Sequence, residues 1–226
     1  LGVPDRGGHM VQPWAQPKRA RVKRQPVTLV YGFDVAVLPR TPLALALERP
    51  QDFEIVLNGL PLNPAAESGW WVDKSLRTLP VDPAMLKTGR NELVLTIDYP
   101  ENHLGLEIVY LLGDFGVTLP DGLNPVLGPL PATLTLGDWV PQGLPFYSGS
   151  LTYRWTVQPE RPADGRVFVR VPAYRGVGLR VLVDGVPAGI VAWEPNEVDI
   201  TDFLKADTVE LGIQVLGHRR NSPPPP

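Results

Sequence analysis

The 226-residue chain contains no cysteine, which removes disulfide staples, thiol catalysis and thiolate metal sites together. Histidine is almost as scarce. His9, His103 and His218 are too scattered for a histidine-based metal centre. As catalytic bases they have no serine set in a nucleophile elbow, since Ser68, Ser75, Ser148, Ser150 and Ser222 all lack that context. No apolar run reaches the length of a membrane-spanning helix and the N-terminus has no apolar signal core. A membrane is therefore not expected as a partner, and with no thiols to report redox environment the compartment stays open.

Proline and glycine are plentiful instead, at 27 and 22 residues, a composition suited to many short strands joined by turns. Apolar residues make up 43%, enough for ordinary cores in a chain long enough for two domains. The formal charge of −3 is unevenly spread. Residues 1–26 carry Arg6, Lys18, Arg19, Arg21, Lys23 and Arg24 against Asp5, so the rest of the chain is acidic. The run Lys18-Arg19-Ala20-Arg21-Val22-Lys23-Arg24 lies between prolines and has no interleaved aromatics. It reads as a solvated linker, and nucleic acid is not expected as a partner.

One pattern occurs twice. Asp52-Phe53-Glu54-Ile55-Val56-Leu57-Asn58-Gly59-Leu60-Pro61-Leu62 is followed by Val81-Asp82, Leu86-Lys87 and Glu92-Leu93-Val94-Leu95-Thr96-Ile97. Gly178-Leu179-Arg180-Val181-Leu182-Val183-Asp184-Gly185-Val186-Pro187 is followed by Val198-Asp199, Leu204-Lys205 and Glu210-Leu211-Gly212-Ile213-Gln214-Val215. Lys87 precedes Glu92 by the interval that separates Lys205 from Glu210. Asn-Gly and Asp-Gly accept positive φ, so each copy predicts a two-residue hairpin turn. Asp82-Pro83 and the segment 201–205 predict short capped helical turns. The interval from Asn58 to Leu86 exceeds that from Asp184 to Leu204, and the extra length holds Gly69-Trp70-Trp71.

Further strands are expected at 27–35, 43–48, 92–99, 150–158, 165–171, 179–183 and 208–216, with a longer one at 106–117 interrupted by Gly113-Asp114 as a bulge or close approach. The Pro- and Gly-rich stretch 120–131 marks the expected boundary between halves. The reading is all-β: a basic Pro-rich linker or tail at 1–26, one β-sandwich at 27–119, a second at 120–223 and a Pro tail at 224–226.

The repeated order of strand, Asn-Gly or Asp-Gly hairpin, Val-Asp turn, Leu-Lys and strand resembles the galactose-binding-like jelly roll of the sugar-binding domains of family 2 glycoside hydrolases. Three segments are more specific: Gly69-Trp70-Trp71-Val72-Asp73-Lys74-Ser75, Tyr110-Leu111-Leu112-Gly113-Asp114-Phe115-Gly116-Val117 and Gly137-Asp138-Trp139-Val140-Pro141-Gln142-Gly143-Leu144-Pro145-Phe146-Tyr147-Ser148-Gly149. With the ending Gly217-His218-Arg219-Arg220-Asn221-Ser222-Pro223, they look like the C-terminal region of large bacterial glycosidase-like proteins related to the family 106 α-L-rhamnosidases. The likeness runs from residue 27 to about residue 223. It implies two tandem jelly rolls and a non-catalytic accessory role. In the resembling proteins the glycosidic chemistry belongs to a preceding barrel, and no segment here matches one. The implied partners are carbohydrate and the catalytic domain of a parent glycoside hydrolase.

The residues leave three functions to compare: an accessory support that contacts carbohydrate, an autonomous carbohydrate-binding module, and a small glycosidase. The last needs two carboxyl groups placed across a sugar. Glu54, Asp73, Glu107, Asp114 and Asp138 are available, but solvated acids or turn caps explain them better. No cofactor is expected. Jelly rolls do hold structural calcium through carboxylates and carbonyls, yet no segment has the spacing of a dedicated calcium loop. Sugar faces stack on aromatic rings beside polar side chains, which makes Trp70, Trp71, Asp73, Trp139, Tyr147 and Trp193 the carbohydrate-binding candidates. For Trp139, Phe146 and Tyr147 a place in a core or seam is the favoured reading. For Trp70, Trp71 and Trp193 sugar and core readings are evenly matched.

Overall fold

Alternation decides which face of each strand is buried. Leu43, Leu45 and Leu47 of β2 (Leu43–Glu48) and Leu79 and Val81 of β6 (Asp73–Val81) turn one way, into a core. Ile55 and Leu57 of β3 (Glu54–Leu57) and Leu93 and Leu95 of β7 (Gly89–Pro100) meet them from the opposite sheet. Each such side chain contributes about 1.5–3 kcal/mol through burial, so this alternation is what holds the two sheets face to face. A computed structural model describes residues 22–100, 103, 106 and 108–217. The basic segment as far as residue 21, His9, Glu107, His218 and the Pro tail lie outside the described residues.

The described chain is all-β, with only three-residue 3₁₀ turns between strands, and it forms two compact units. Among the described residues the first unit runs to Leu134 and takes in Asp138–Pro145, and the second holds Thr135–Gly137 and the chain from Phe146 onward. In the first, β4 (Leu60–Leu62), β3, β7, β1 (Arg24–Val35), β10 (Val126–Gly128) and β9 (Gly116–Thr118) make a six-stranded sheet in that order. It faces a four-stranded sheet of β5 (Trp70–Trp71), β6, β2 and β8 (Tyr110–Leu112). The two share one core, which includes Val35 and Leu127 from the larger sheet.

Three elements differ from the sequence reading. β1 starts at Arg24, not Val27, and Pro26 pairs with Asp98. Proline is tolerated there because β10 pairs β1 only at Asp34 and Val35, leaving the other edge of Pro26 without a partner strand among the described residues. The expected strand at 106–117 is two strands in different sheets. Gly113 stands at the crossing, where a Cβ would lie 2.3 Å from Leu43 Cδ2. Beyond the boundary expected at residue 120, β10 pairs in parallel with β1 and antiparallel with β9, so it is a strand of the first unit.

In the second unit β11 (Leu151–Val157), β16 (Val209–Leu216), β13 (Gly178–Val183) and β14 (Val186–Val191) form one sheet, and β12 (Phe168–Arg170) and β15 (Glu197–Asp199) a smaller one. Leu179, Val181, Val183, Val198, Val209 and Ile213 fill the core.

Both hairpins take the conformation their sequences predict, with φ of 51° and 81° at Asn58 and Gly59 and 49° and 78° at Asp184 and Gly185. Each turn also clasps the strand that ends its copy. Asn58 Oδ1 accepts the Glu92 N–H at 3.0 Å, and Asp184 Oδ1 accepts the Glu210 N–H at 2.8 Å. The turn residues' own N–H groups donate back to the carbonyls of Glu92 and Glu210. Asp82 caps the 3₁₀ turn Pro83–Met85 by accepting the Ala84 N–H, and Asp199 accepts the Thr201 N–H in the corresponding place.

Candidate functional site

The extra length in the first copy folds as β5 and a one-residue turn into β6. Trp70 pairs with Arg77 and Trp71 with Asp73, with a register shift between them. Val72 makes the turn at φ 63°, a left-handed conformation that β-branched residues rarely adopt. Its side chain is exposed. Asp73 steadies the far side of the turn, its Oδ1 accepting from the Ser75 N–H at 2.8 Å and from the Ser75 hydroxyl at 2.9 Å. Glu48 Oε1, at the end of β2, lies 3.1 Å from the same hydroxyl. Arg77 is held by the Glu67 carboxylate and by the Lys74 carbonyl.

The tryptophans divide their roles. Trp70 is 52% exposed, whereas Trp71 is half-buried and packs its ring on Tyr110, with centroids 4.9 Å apart at 54°. Tyr110 pairs with Ala46, and Ala46 with Thr78. Ala46 alternates with the inward Leu45 and Leu47, so it faces away from the core, yet it is fully buried. The outer face of this sheet is therefore covered at the end where Trp71 meets Tyr110. Trp70 pairs with Arg77, which shares a strand face with the inward Leu79 and pairs with the inward Leu47, so the exposed Trp70 ring stands on the opposite face of the strand from Trp71, with carboxylate, hydroxyl and guanidinium groups along the turn that joins them.

Trp70, Trp71 and Asp73 are neighbours in this one turn, and the remaining candidates belong to other segments. Trp139 is half-buried in a turn of the first unit, where its carbonyl accepts the N–H groups of Gln142 and Leu144. Tyr147 and Trp193 belong to the second unit. Tyr147 is 37% exposed and its hydroxyl donates to the Ser150 carbonyl at 3.1 Å, while Trp193 is 81% exposed. Phe146 is exposed to the same degree as Tyr147.

Searched against models of known protein families and against curated proteins, the sequence matches none. Among solved structures it is similar to a rhamnosidase from Novosphingobium sp., at 14% identity and a TM-score of 0.31, over 91% of this chain and 21% of that one. It is also similar to the Streptomyces avermitilis α-L-rhamnosidase complexed with L-rhamnose, at 12% identity and a TM-score of 0.29, over 89% and 23%. An anti-sigma factor domain-containing protein aligns at 11% identity and a TM-score of 0.21. The chain spans less than a quarter of the length of the two rhamnosidases. The all-β architecture is established by the sheets themselves.

Of the carboxylates considered for hydrolysis, Asp73 and Asp138 each accept a backbone N–H two residues on, the geometry of a turn cap. Glu54 and Asp114 are exposed. Among the described residues no three His, Asp or Glu side chains converge on a common point that could hold a metal. No described helix is long and apolar enough to cross a membrane.

Two contacts of tryptophan rings escape the sequence reading. Tyr110 is visible there only as part of a strand, and its partnership with Trp71 depends on the register of β8 against β2. In the second unit Tyr153 stacks on Trp155 at 6.1 Å and 18°. Their i, i+2 spacing puts both on one face of β11, a signal the sequence does carry.

Proposed function

We propose that this chain is a non-catalytic accessory region of a glycoside hydrolase-like protein, supporting a catalytic domain and contacting carbohydrate at the Trp70–Trp71 turn. The observation that carries the reading is the pairing of Trp71 on Tyr110 beside the exposed Trp70. One ring is fixed as a platform and its neighbour is left free to meet the apolar face of a sugar. Asp73, Ser75, Glu48 and Arg77 stand within the same turn and strands, where they supply hydroxyl-binding groups. The left-handed Val72 supports the same view. Backbone strain persists where the surroundings hold it, and it concentrates at ligand sites. The sequence motifs that resemble the rhamnosidase-related region supply the sugar context.

The test is titration of the whole chain against a glycan array, followed by Trp70→Ala. Binding should fall at least about tenfold while the far-ultraviolet spectrum is unchanged. Aryl-glycoside turnover abolished by one carboxylate substitution would overturn the non-catalytic assignment.

The alternative, an autonomous module that targets polysaccharide, is favoured by the 81% exposure of Trp193 in the second unit. Under it Trp193→Ala also weakens binding, and affinity in isolation is substantial. Under the accessory reading Trp193→Ala is silent.

A further inference from the structure

A second polar feature of the first unit lies apart from the tryptophan turn in its residues. β1 begins and β7 ends side by side, Arg24 opposite Pro100. The same end of the sandwich receives the end of β2, where Arg49 takes a left-handed conformation at φ 49° and opens the 3₁₀ turn Pro50–Asp52. His103 closes the same end, its N–H donating to the Pro100 carbonyl at 2.9 Å. Between these segments is a cleft of about 390 Å³, lined by Arg24, Arg49, Asp52, Ile97, Asp98, Pro100 and His103. That volume falls within the ~300–1,000 Å³ range of small-molecule sites.

The lining is paired and near-neutral. Arg24 Nη1 lies 3.3 Å from Asp98 Oδ2, and Arg49 Nε lies 2.6 Å from Asp52 Oδ2. His103 Nε2 stands 3.6 Å from the same Asp52 oxygen, its ring buried against Tyr99 at 4.9 Å between centroids. Two guanidinium and two carboxylate groups cancel, so the cleft has no surplus of one sign to attract an ion. It has hydrogen-bonding capacity instead. A guanidinium offers five N–H donors and a carboxylate about four acceptor sites, so each pair retains donors and acceptors after meeting its partner. Alternating donors and acceptors suit vicinal hydroxyls, each of which gives one hydrogen bond and takes another. Pro100 supplies apolar surface for the carbon skeleton between them, above the nearly buried Ile97.

We infer that this cleft is a saccharide subsite, taking a neutral mono- or disaccharide unit through the Arg24–Asp98 and Arg49–Asp52 pairs. The inference rests on the carbohydrate reading above but on different residues, which makes the two separable. The probes are methyl β-glucopyranoside as a neutral sugar, glucuronate as its acidic counterpart, and inorganic phosphate, each titrated at tens of millimolar against the whole chain. Shifts are read by NMR at the His103 ring and the Ile97 methyl groups. The neutral glycoside should shift both signals, and glucuronate should bind no tighter. Asp52→Asn or Asp98→Asn should weaken binding about tenfold, and Trp70→Ala should leave these shifts unchanged. The more exposed Asp98 guards against loss of fold in the first variant. Tighter binding of glucuronate or phosphate would overturn the inference in favour of an anion site. Silence of His103 and Ile97 to every probe, with Trp70-dependent glycan binding retained, would overturn the cleft alone. Cleft binding with no effect of Trp70→Ala on the glycan array would overturn the tryptophan turn and leave the cleft standing.

Discussion

Replacing Asn58 by aspartate changes one nitrogen to oxygen in the first hairpin, and the second unit already uses aspartate at that place. The surroundings differ. Asn58 Nδ2 donates to the Met85 carbonyl at 2.8 Å and to Asn91 Oδ1 at 2.7 Å, while its Oδ1 takes the Glu92 N–H. Asn91 is fully buried and also bridges the Lys87 N–H and the carbonyls of Lys87 and Gly89. In the second unit Val209 replaces Asn91, and Asp184 is needed only as an acceptor. Asn58→Asp keeps the bond to Glu92, loses both donors and turns an oxygen toward two acceptors. Two lost hydrogen bonds at about 0.5–1.5 kcal/mol each, with an acceptor left short of a donor at about 1–3 kcal/mol, give a destabilisation of about 2–6 kcal/mol. At about 2–4 °C per kcal/mol for a chain of this size, the unfolding midpoint of the first unit should fall by about 4–24 °C.

The sign of its pH dependence follows. The carboxyl group introduced by Asn58→Asp can donate once when protonated and not at all when ionised, so its folded pKa lies above its unfolded value. The deficit is therefore smallest in acid and grows as pH rises through the folded pKa. Urea denaturation at pH 4 and pH 8, with hydrogen exchange at Glu92, measures both effects. Asp184→Asn keeps its one acceptor and should cost within about 0.5 kcal/mol. Adding Asn91→Val to Asn58→Asp recreates the second unit's arrangement and should cost less than the two single changes together. A loss below about 0.5 kcal/mol for Asn58→Asp, or one independent of pH, would refute the reasoning.

Gly116 and Gly128 oppose each other between β9 and β10, but a Cβ on Gly116 would lie 2.5 Å from the Pro129 carbonyl oxygen whereas one on Gly128 meets nothing within 4 Å. Gly116→Ala should cost about 1–3 kcal/mol in a chemical melt, and Gly128→Ala far less. Val72→Gly relieves about 1–3 kcal/mol of left-handed strain against the backbone entropy of glycine. It should raise the melting temperature while weakening glycan binding, and a fall in melting temperature would remove the claim of strain. The Asp121 carboxylate takes the N–H groups of Asn124 and Leu123, which lower its pKa to about 2. A depressed folded value means that its contribution to stability is present above the unfolded pKa and is lost as pH falls toward 2. An NMR titration midpoint for Asp121 near 4 would contradict this.

What the chain declares in advance is local. Asn58-Gly59 and Asp184-Gly185 declare their turns because few residue pairs tolerate two positive φ angles, and Asp82-Pro83 declares its cap because proline fixes φ and needs no N–H partner. β2 and β7 follow from alternation over several residues. β10 does not, since a three-residue strand in a Pro- and Gly-rich stretch has no period to detect, and its parallel partner lies far back in the chain. The Trp71–Tyr110 contact and the Arg24–Asp98 pair share that limit. Arg24 and Asp98 are separated by 74 positions and meet only because β1 runs antiparallel to β7 in one register.

The late pairing of β10 bears on the order in which this protein is made. The edge of β1 waits for residues 126–128, and the Val117 N–H waits for the Gly143 carbonyl that it reaches at 2.8 Å. On the ribosome the first unit therefore cannot finish folding when its main strands have emerged. At Asp34 and Val35 it stays open through the synthesis of about 25 more residues, a window in which a neighbouring chain can pair with that end of β1.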